Sequence, residues 1–139
     1  MKTIFADTFY WIALLNSKDG WFQEVNLTKR SLGSAKIVTT DKVLVELLTF
    51  YSAYGAETQQ ATVQLVRSLL NHSTVQVLQQ TRESFFVGLE LYAKRPAKEY
   101  SMTDCISMQV MRQLGITEVL MRDRHFTQEG FTILFNEVI

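Results

Sequence analysis

The sequence is short of cysteine, proline, histidine and net charge, and each shortage removes a class of protein. One cysteine, Cys105, among 139 residues cannot form an internal disulfide and suits a reducing compartment. Two histidines, with no His pair at ligand spacing and no CxxC, disfavour a zinc site. Lys and Arg number 14 and Asp and Glu number 14, so there is no global pull toward nucleic acid, although a local basic patch is still open. Pro96 is the one proline, and no linker, low-complexity tract or internal repeat divides the chain. No apolar run approaches the roughly 18 residues that cross a membrane. P-loop and GxGxxG signatures are missing, which removes the nucleotide-cofactor folds that need them. The N-terminus MKTIFADTFYWIALLN carries a Lys and an apolar run, as a signal peptide does. Asp7 interrupts that run, no small-residue cleavage pattern follows, and Asn16 to Gly20 is polar, so the expectation is a cytoplasmic protein with no membrane contact.

What is there is enough for a core. Hydrophobic residues make up 47% and charged residues 20%, and the length fits one domain over residues 1–139. Thr3 to Ala6 reads as a strand buried on both faces, followed by a helix from Thr8. Trp21 to Leu32 is amphipathic and helical, and Gly33-Ser34 ends it. Ala35 to Val38 is a second strand, with Thr39 or Thr40 capping a helix from Asp41 to about Tyr54. A helix over Glu57 to Asn71 sets Val63, Leu65, Val66, Leu69 and Leu70 inward, and Thr74 to Leu78 is a third strand. Thr81 to Arg95 is a helix with Phe85, Phe86, Leu89 and Tyr92 as expected core contacts. Pro96 to Tyr100 is a loop, and Ser101 caps a helix that Gly115 closes. Glu118 to Met121 is a fourth strand, Arg122 to Gly130 a loop, and Phe131 to Phe135 a possible fifth strand. Strands alternating with helices imply an α/β fold: a three-layer α/β/α sandwich around a mainly parallel sheet of 4–5 strands. Ligands then gather at the C-terminal edge of the sheet.

Four acids stand where that edge should be. Asp7 follows the first strand and Asp123 the fourth, Asp104 opens a helix, and Glu46 sits among Val43, Leu47 and Phe50 in the helix after the second strand. Each has a structural explanation of its own. Asp7 can cap the helix behind it, and Ser101-Met102-Thr103-Asp104 matches a capping box. Asp123 can hold surface ion pairs with Arg122 and Arg124, and Glu46 can be buried against an Arg or a backbone amide. Together they pose a different problem, because four carboxylates at one partly buried edge repel strongly. A divalent cation removes that repulsion, and carboxylate oxygens suit Mg²⁺ or Mn²⁺.

These stretches carry a resemblance. FADTFYWIALLN, TTDKVLVELLTFY, YSMTDCISMQVMRQLGI and VLMRDRHFTQEGF resemble, in order, the four acidic motifs of PIN-domain nucleases, and in particular the VapC-type toxins of toxin–antitoxin pairs. The resemblance implies a PIN-like fold and a metal-dependent endoribonuclease. It makes Asp7, Glu46, Asp104 and Asp123 the catalytic, metal-binding acids with Mg²⁺ or Mn²⁺, and Thr8 and Thr103 hydroxyl neighbours of two of them. It implies an RNA substrate and an antitoxin partner. Many members carry a small hydroxyl or Asn near the place where this chain has Met121 and Arg122, which bears on a second metal. Arg122 and Arg124 are candidates for RNA phosphates, and His125 for a phosphate or leaving group. Lys94, Arg95 and Lys98 form a short basic cluster that could extend an RNA path. Phe9, Tyr10 and Trp11 could stack bases, with core packing the commoner fate of such rings. Apolar surface between Trp21 and Asn71 could serve a homodimer or an inhibitor peptide. The competing reading is a degenerate relative that binds RNA or protein without cutting. A haloacid-dehalogenase-type phosphatase would need a second Asp where Phe9 stands, and a receiver domain would need an acidic pair where only Asp7 is present.

Overall fold

The computed structural model describes residues 2–135. Five strands form one parallel sheet in the order β3-β2-β1-β4-β5. The strands are β1 (Thr3–Ala6), β2 (Lys36–Thr40), β3 (Val75–Leu78), β4 (Glu118–Leu120) and β5 (Thr132–Ile133). Helices flank the sheet: α1 (Thr8–Leu15), α2 (Phe22–Leu32), α3 (Asp41–Phe50), α4 (Ala56–Asn71), α5 (Arg82–Lys94), α6 (Met102–Leu114) and α7 (His125–Gln128). β1 is central because its residues Ile4, Phe5 and Ala6 have no solvent-exposed surface and can only sit between covered faces.

The chain builds outward from β1 through β2 to β3, then crosses back to place β4 on the other side of β1. Phe5 pairs with both Val38 and Val119, so β2 and β4 flank the same residue. The winding therefore changes direction between β1 and β4. In open parallel sheets the loops diverge at such a point and leave a crevice beyond the strand ends.

Several element boundaries differ from those read along the chain. β2 runs two residues further than Val38, since Thr39 and Thr40 pair with Val77 and Leu78. The Thr39 hydroxyl also donates to the Ala6 carbonyl at 2.9 Å, tying the end of β2 to the end of β1. Thr40 is the helix cap, accepting from the Val43 amide. α3 stops at Phe50 and a 3-10 turn covers Tyr51–Ala53, where a continuous helix to Tyr54 was expected. Tyr51 is buried and its hydroxyl donates to the Ile12 carbonyl at 2.8 Å, a tertiary anchor that helical periodicity cannot show. The loop after β4 contains the one-turn α7, and β5 is shorter than expected.

The largest correction is α5. Phe85, Phe86, Leu89 and Tyr92, expected in the core, face outward, and Phe86 is 51% exposed. Gly88 and Leu91 are the residues α5 buries. A Cβ on Gly88 would stand 2.6 Å from Ile106 Cγ1 and 3.2 Å from its Cα. α5 thus packs on α6 through its smallest residue, and the bulky ones are turned away. In α4, Leu69 is buried as expected, while Val63 and Leu70 are exposed.

Candidate functional site

The crevice between β1 and β4 is a cleft of about 820 Å³. Asp7, Glu46, Asp104 and Asp123 all line it, together with Thr8, Arg122 and Arg124. The four acids come from the end of β1, the second turn of α3, the first turn of α6 and the segment after β4.

Asp7 occupies the cap position of α1, yet its side chain makes no capping hydrogen bond, so capping does not account for it. It is 2% exposed, and its Oδ1 is buried without a hydrogen-bond partner. Burial, then the Asp104 charge, and after them Glu46 and Asp123, push its carboxyl up to about 8, against a smaller lowering from the Thr8 backbone amide. A carboxyl that burial first and its acidic neighbours second hold protonated, with one oxygen orphaned, favours the entry of a cation.

The capping box at Asp104 is real. The Ser101 hydroxyl accepts from the Asp104 amide at 3.0 Å, and an Asp104 carboxylate oxygen accepts from the Ser101 amide at 3.2 Å. The cap does not use up the side chain's influence. Burial raises the Asp104 carboxyl and Asp123 raises it further, outweighing the Ser101 amide. One residue therefore starts a helix and also charges the cleft.

Glu46 corrects the expectation of a buried carboxylate. It is half-buried, because Val45 and Phe50 beside it are themselves exposed. Its partner is the Thr8 hydroxyl, which donates to Oε1 and links α1 to α3 across the cleft. Asp123 accepts the His125 backbone amide at 2.9 Å, a short loop turn that aims its carboxylate. The His125 ring lies between two acids, its Nδ1 3.4 Å from Asp123 and 3.7 Å from Asp104, without hydrogen-bond geometry to either. Thr103 is buried in the first turn of α6 and is not among the cleft-lining residues.

Arg95 leaves the suggested basic path. It pairs with Glu129, where Arg112 and the Tyr100 hydroxyl also converge, at 2.9, 2.7 and 2.9 Å. Tyr10 and Trp11 are core residues, 3% exposed each. Two features of the cleft were missed along the chain. Asp19 lines it as a fifth acid, its carboxylate accepting the Trp21 amide at 2.8 Å. Trp21 lines it as well, next to Phe9. Asp19 sits in a polar Asn-Ser-Lys-Asp-Gly turn, and only the packing of α2 brings that turn to the cleft.

Carboxylate oxygens are hard donors, and the orphaned Asp7 oxygen gives a cation a reason to enter. As the side chains stand, no three His, Cys, Asp or Glu among the described residues already enclose one. The acids are coupled by charge around a shared opening.

A parallel sheet wound in this order, with an acid-lined cleft at its switch point, places the chain in a family: residues 4–131 match the PIN domain, and the chain belongs to it. VapC20 of Mycobacterium tuberculosis, a sarcin–ricin-loop-cleaving toxin, has a similar structure. Its TM-score is 0.83 at 26% identity, over 93% of this chain and 96% of that one. FitAcB of Neisseria gonorrhoeae shares the fold at a TM-score of 0.68 and 16% identity, over 95% and 96% of the two chains. No curated protein matches the sequence.

Proposed function

We propose that this protein is a divalent-metal-dependent endoribonuclease that hydrolyses RNA phosphodiester bonds at the Asp7 cleft, and that it is the toxin of a toxin–antitoxin pair. The observation that carries the reading is the buried, unpartnered Asp7 oxygen facing a cleft charged by Glu46, Asp104 and Asp123. Membership of the PIN family and the likeness to a VapC toxin support it.

Asp7, Glu46 and Asp104 would hold one Mg²⁺ or Mn²⁺, with Asp123 completing that site or holding a second ion. A bound cation supplies Lewis acidity at a phosphate oxygen and makes a water nucleophilic at neutral pH. The remaining work falls to the chain. Thr8 fixes Glu46, the Ser101 amide fixes Asp104, and the His125 amide fixes Asp123, so three acids are oriented in advance. Arg124, exposed at the rim, can meet a phosphate as it arrives. Without a cation the acids repel a phosphodiester, so RNA and metal bind together. The exposed apolar residues of α5 offer a face for a second copy, and an antitoxin would act by covering the cleft.

The test is cleavage of RNA by Asp7→Asn and Asp104→Asn variants. Ser101 remains the cap of α6 and an amide oxygen at position 104 can still accept the Ser101 amide, so the second variant keeps its helix start. Both should stay folded and lose cleavage to background, and EDTA should stop the native protein until Mg²⁺ or Mn²⁺ is returned. Cleavage that survives either substitution, or that ignores the chelator, ends this reading.

A further inference from the structure

One wall of the cleft is aromatic, with Asp19 at its foot. Phe9 and Trp21 are both half-buried and both line the opening, unlike Tyr10 and Trp11, which the core accounts for. Their ring centroids are 5.6 Å apart with planes at 81°, so they form an aromatic corner. Phe135, 3% exposed, packs edge-on against both rings, at 5.5 Å from Phe9 and 6.2 Å from Trp21. The Arg122 guanidinium lies over the same corner, 5.6 Å from the Phe9 centroid and 5.7 Å from that of Trp21.

Resting on the nuclease reading above, we propose that Phe9, Trp21 and Arg122 form the seat for one unstacked base of the RNA, beside the acids. A base swung out of its strand can lie flat on an aromatic ring or on a guanidinium plane, and this wall offers both surfaces. The cleft volume of about 820 Å³ leaves room for a nucleotide as well as the phosphate at the acids. The electrostatics favour such a seat. Acids that repel phosphate cannot give affinity on their own, whereas stacking is insensitive to that charge. The corner and the acids line the same cleft, so a strand that stacks a base at one has its phosphates near the other.

The chain has two tryptophans, and Trp11 is buried, so a change in emission on RNA binding reports Trp21. Single-stranded oligoadenylate and an abasic strand of equal length are mixed with the native chain in Mg²⁺, and emission is read in the binding phase, before cleavage. The oligoadenylate should quench Trp21 and bind about tenfold more tightly than the abasic strand, the scale of one base–aromatic stack. Trp21→Leu, apolar but without a ring, should erase that difference, and Trp21→Phe should keep most of it. If Trp21→Leu fails to fold, Phe9→Leu, which removes the other ring of the corner, makes the same comparison. Equal binding of the two strands, or a difference that persists in a folded Trp21→Leu chain, overturns the seat. If the native chain still cuts RNA, that result leaves the nuclease standing. A chain that neither binds nor cuts any RNA overturns both.

Discussion

Asp7 pays for its position. With its carboxyl held near 8 in the fold, against about 3.9 in an unfolded chain, it binds a proton that the unfolded state has released. Below the unfolded value both states are protonated and nothing is lost. As pH rises from about 4 toward about 8, the folded state loses stability relative to the unfolded one. Asp7→Asn removes that penalty. In EDTA the variant should melt several degrees above the native chain near pH 8, with little gain near pH 4, by calorimetry. A native chain as stable as the variant at pH 8 would show that Asp7 is not destabilised by burial.

Glu129 has the opposite sign. Burial alone would raise its carboxyl, but hydrogen bonds from Arg95, Arg112 and Tyr100 outweigh burial and hold it at about 2. A lowered folded value means stability that is present above about 4.5 and is lost as pH falls toward about 2. Glu129 sits just after α7, so this clamp also fixes the segment that carries Asp123 and His125. Glu129→Gln should cost on the order of 2 kcal/mol at neutral pH and flatten the acid side of the stability profile, read by urea melts across that range. An unchanged profile would assign the acid sensitivity to other groups.

At the scale of elements, the α5–α6 contact is the one most sensitive to a small change. Ala at position 88 gains helix propensity of about 1 kcal/mol over Gly. Its Cβ would stand 2.6 Å from the Ile106 side chain and 3.2 and 3.3 Å from its backbone, and Ile106 is 2% exposed. Overpacking of that kind costs about 1–3 kcal/mol. Crowding should win, and Gly88→Ala should lower the melting temperature. A rise would mean that α5 can slide away from α6 without loss. The same contact shows why helical spacing alone misassigns the buried face of α5. Helical spacing marks an apolar stripe but does not say which stripe is covered. Here the buried side is marked by a glycine and Leu91, while the stripe with more apolar area faces out.

For the whole molecule, the proposed cation should act as a folding ligand. A ligand that binds only the native state adds stability that grows with its concentration. Mn²⁺ added in excess should raise the melting temperature of the native chain and not that of Asp7→Asn, by calorimetry after chelation. No shift in the native chain would separate the acid cluster from metal binding. Much of this architecture was legible beforehand. β1 announced itself as an apolar run closed by Asp7, and the alternation of strands and helices fixed a parallel sheet. Asp7 and Asp123 could be placed at one edge because each follows a strand. Asp19, Trp21 and the clamp at Glu129 could not, since each depends on which turn packs on which.

The sequence by itself determined that five strands alternate with helices, the caps at Thr40 and Ser101 and the order of the acidic motifs, because these follow from periodicity and local hydrogen bonding within a few residues. Only the tertiary structure decided that β4 lies beside β1, that Glu46 stays half in solvent with Thr8, and that Phe9 meets Trp21 under Arg122. Those arrangements join residues far apart in the chain. They are set by which faces can be buried together, and no local pattern carries that information.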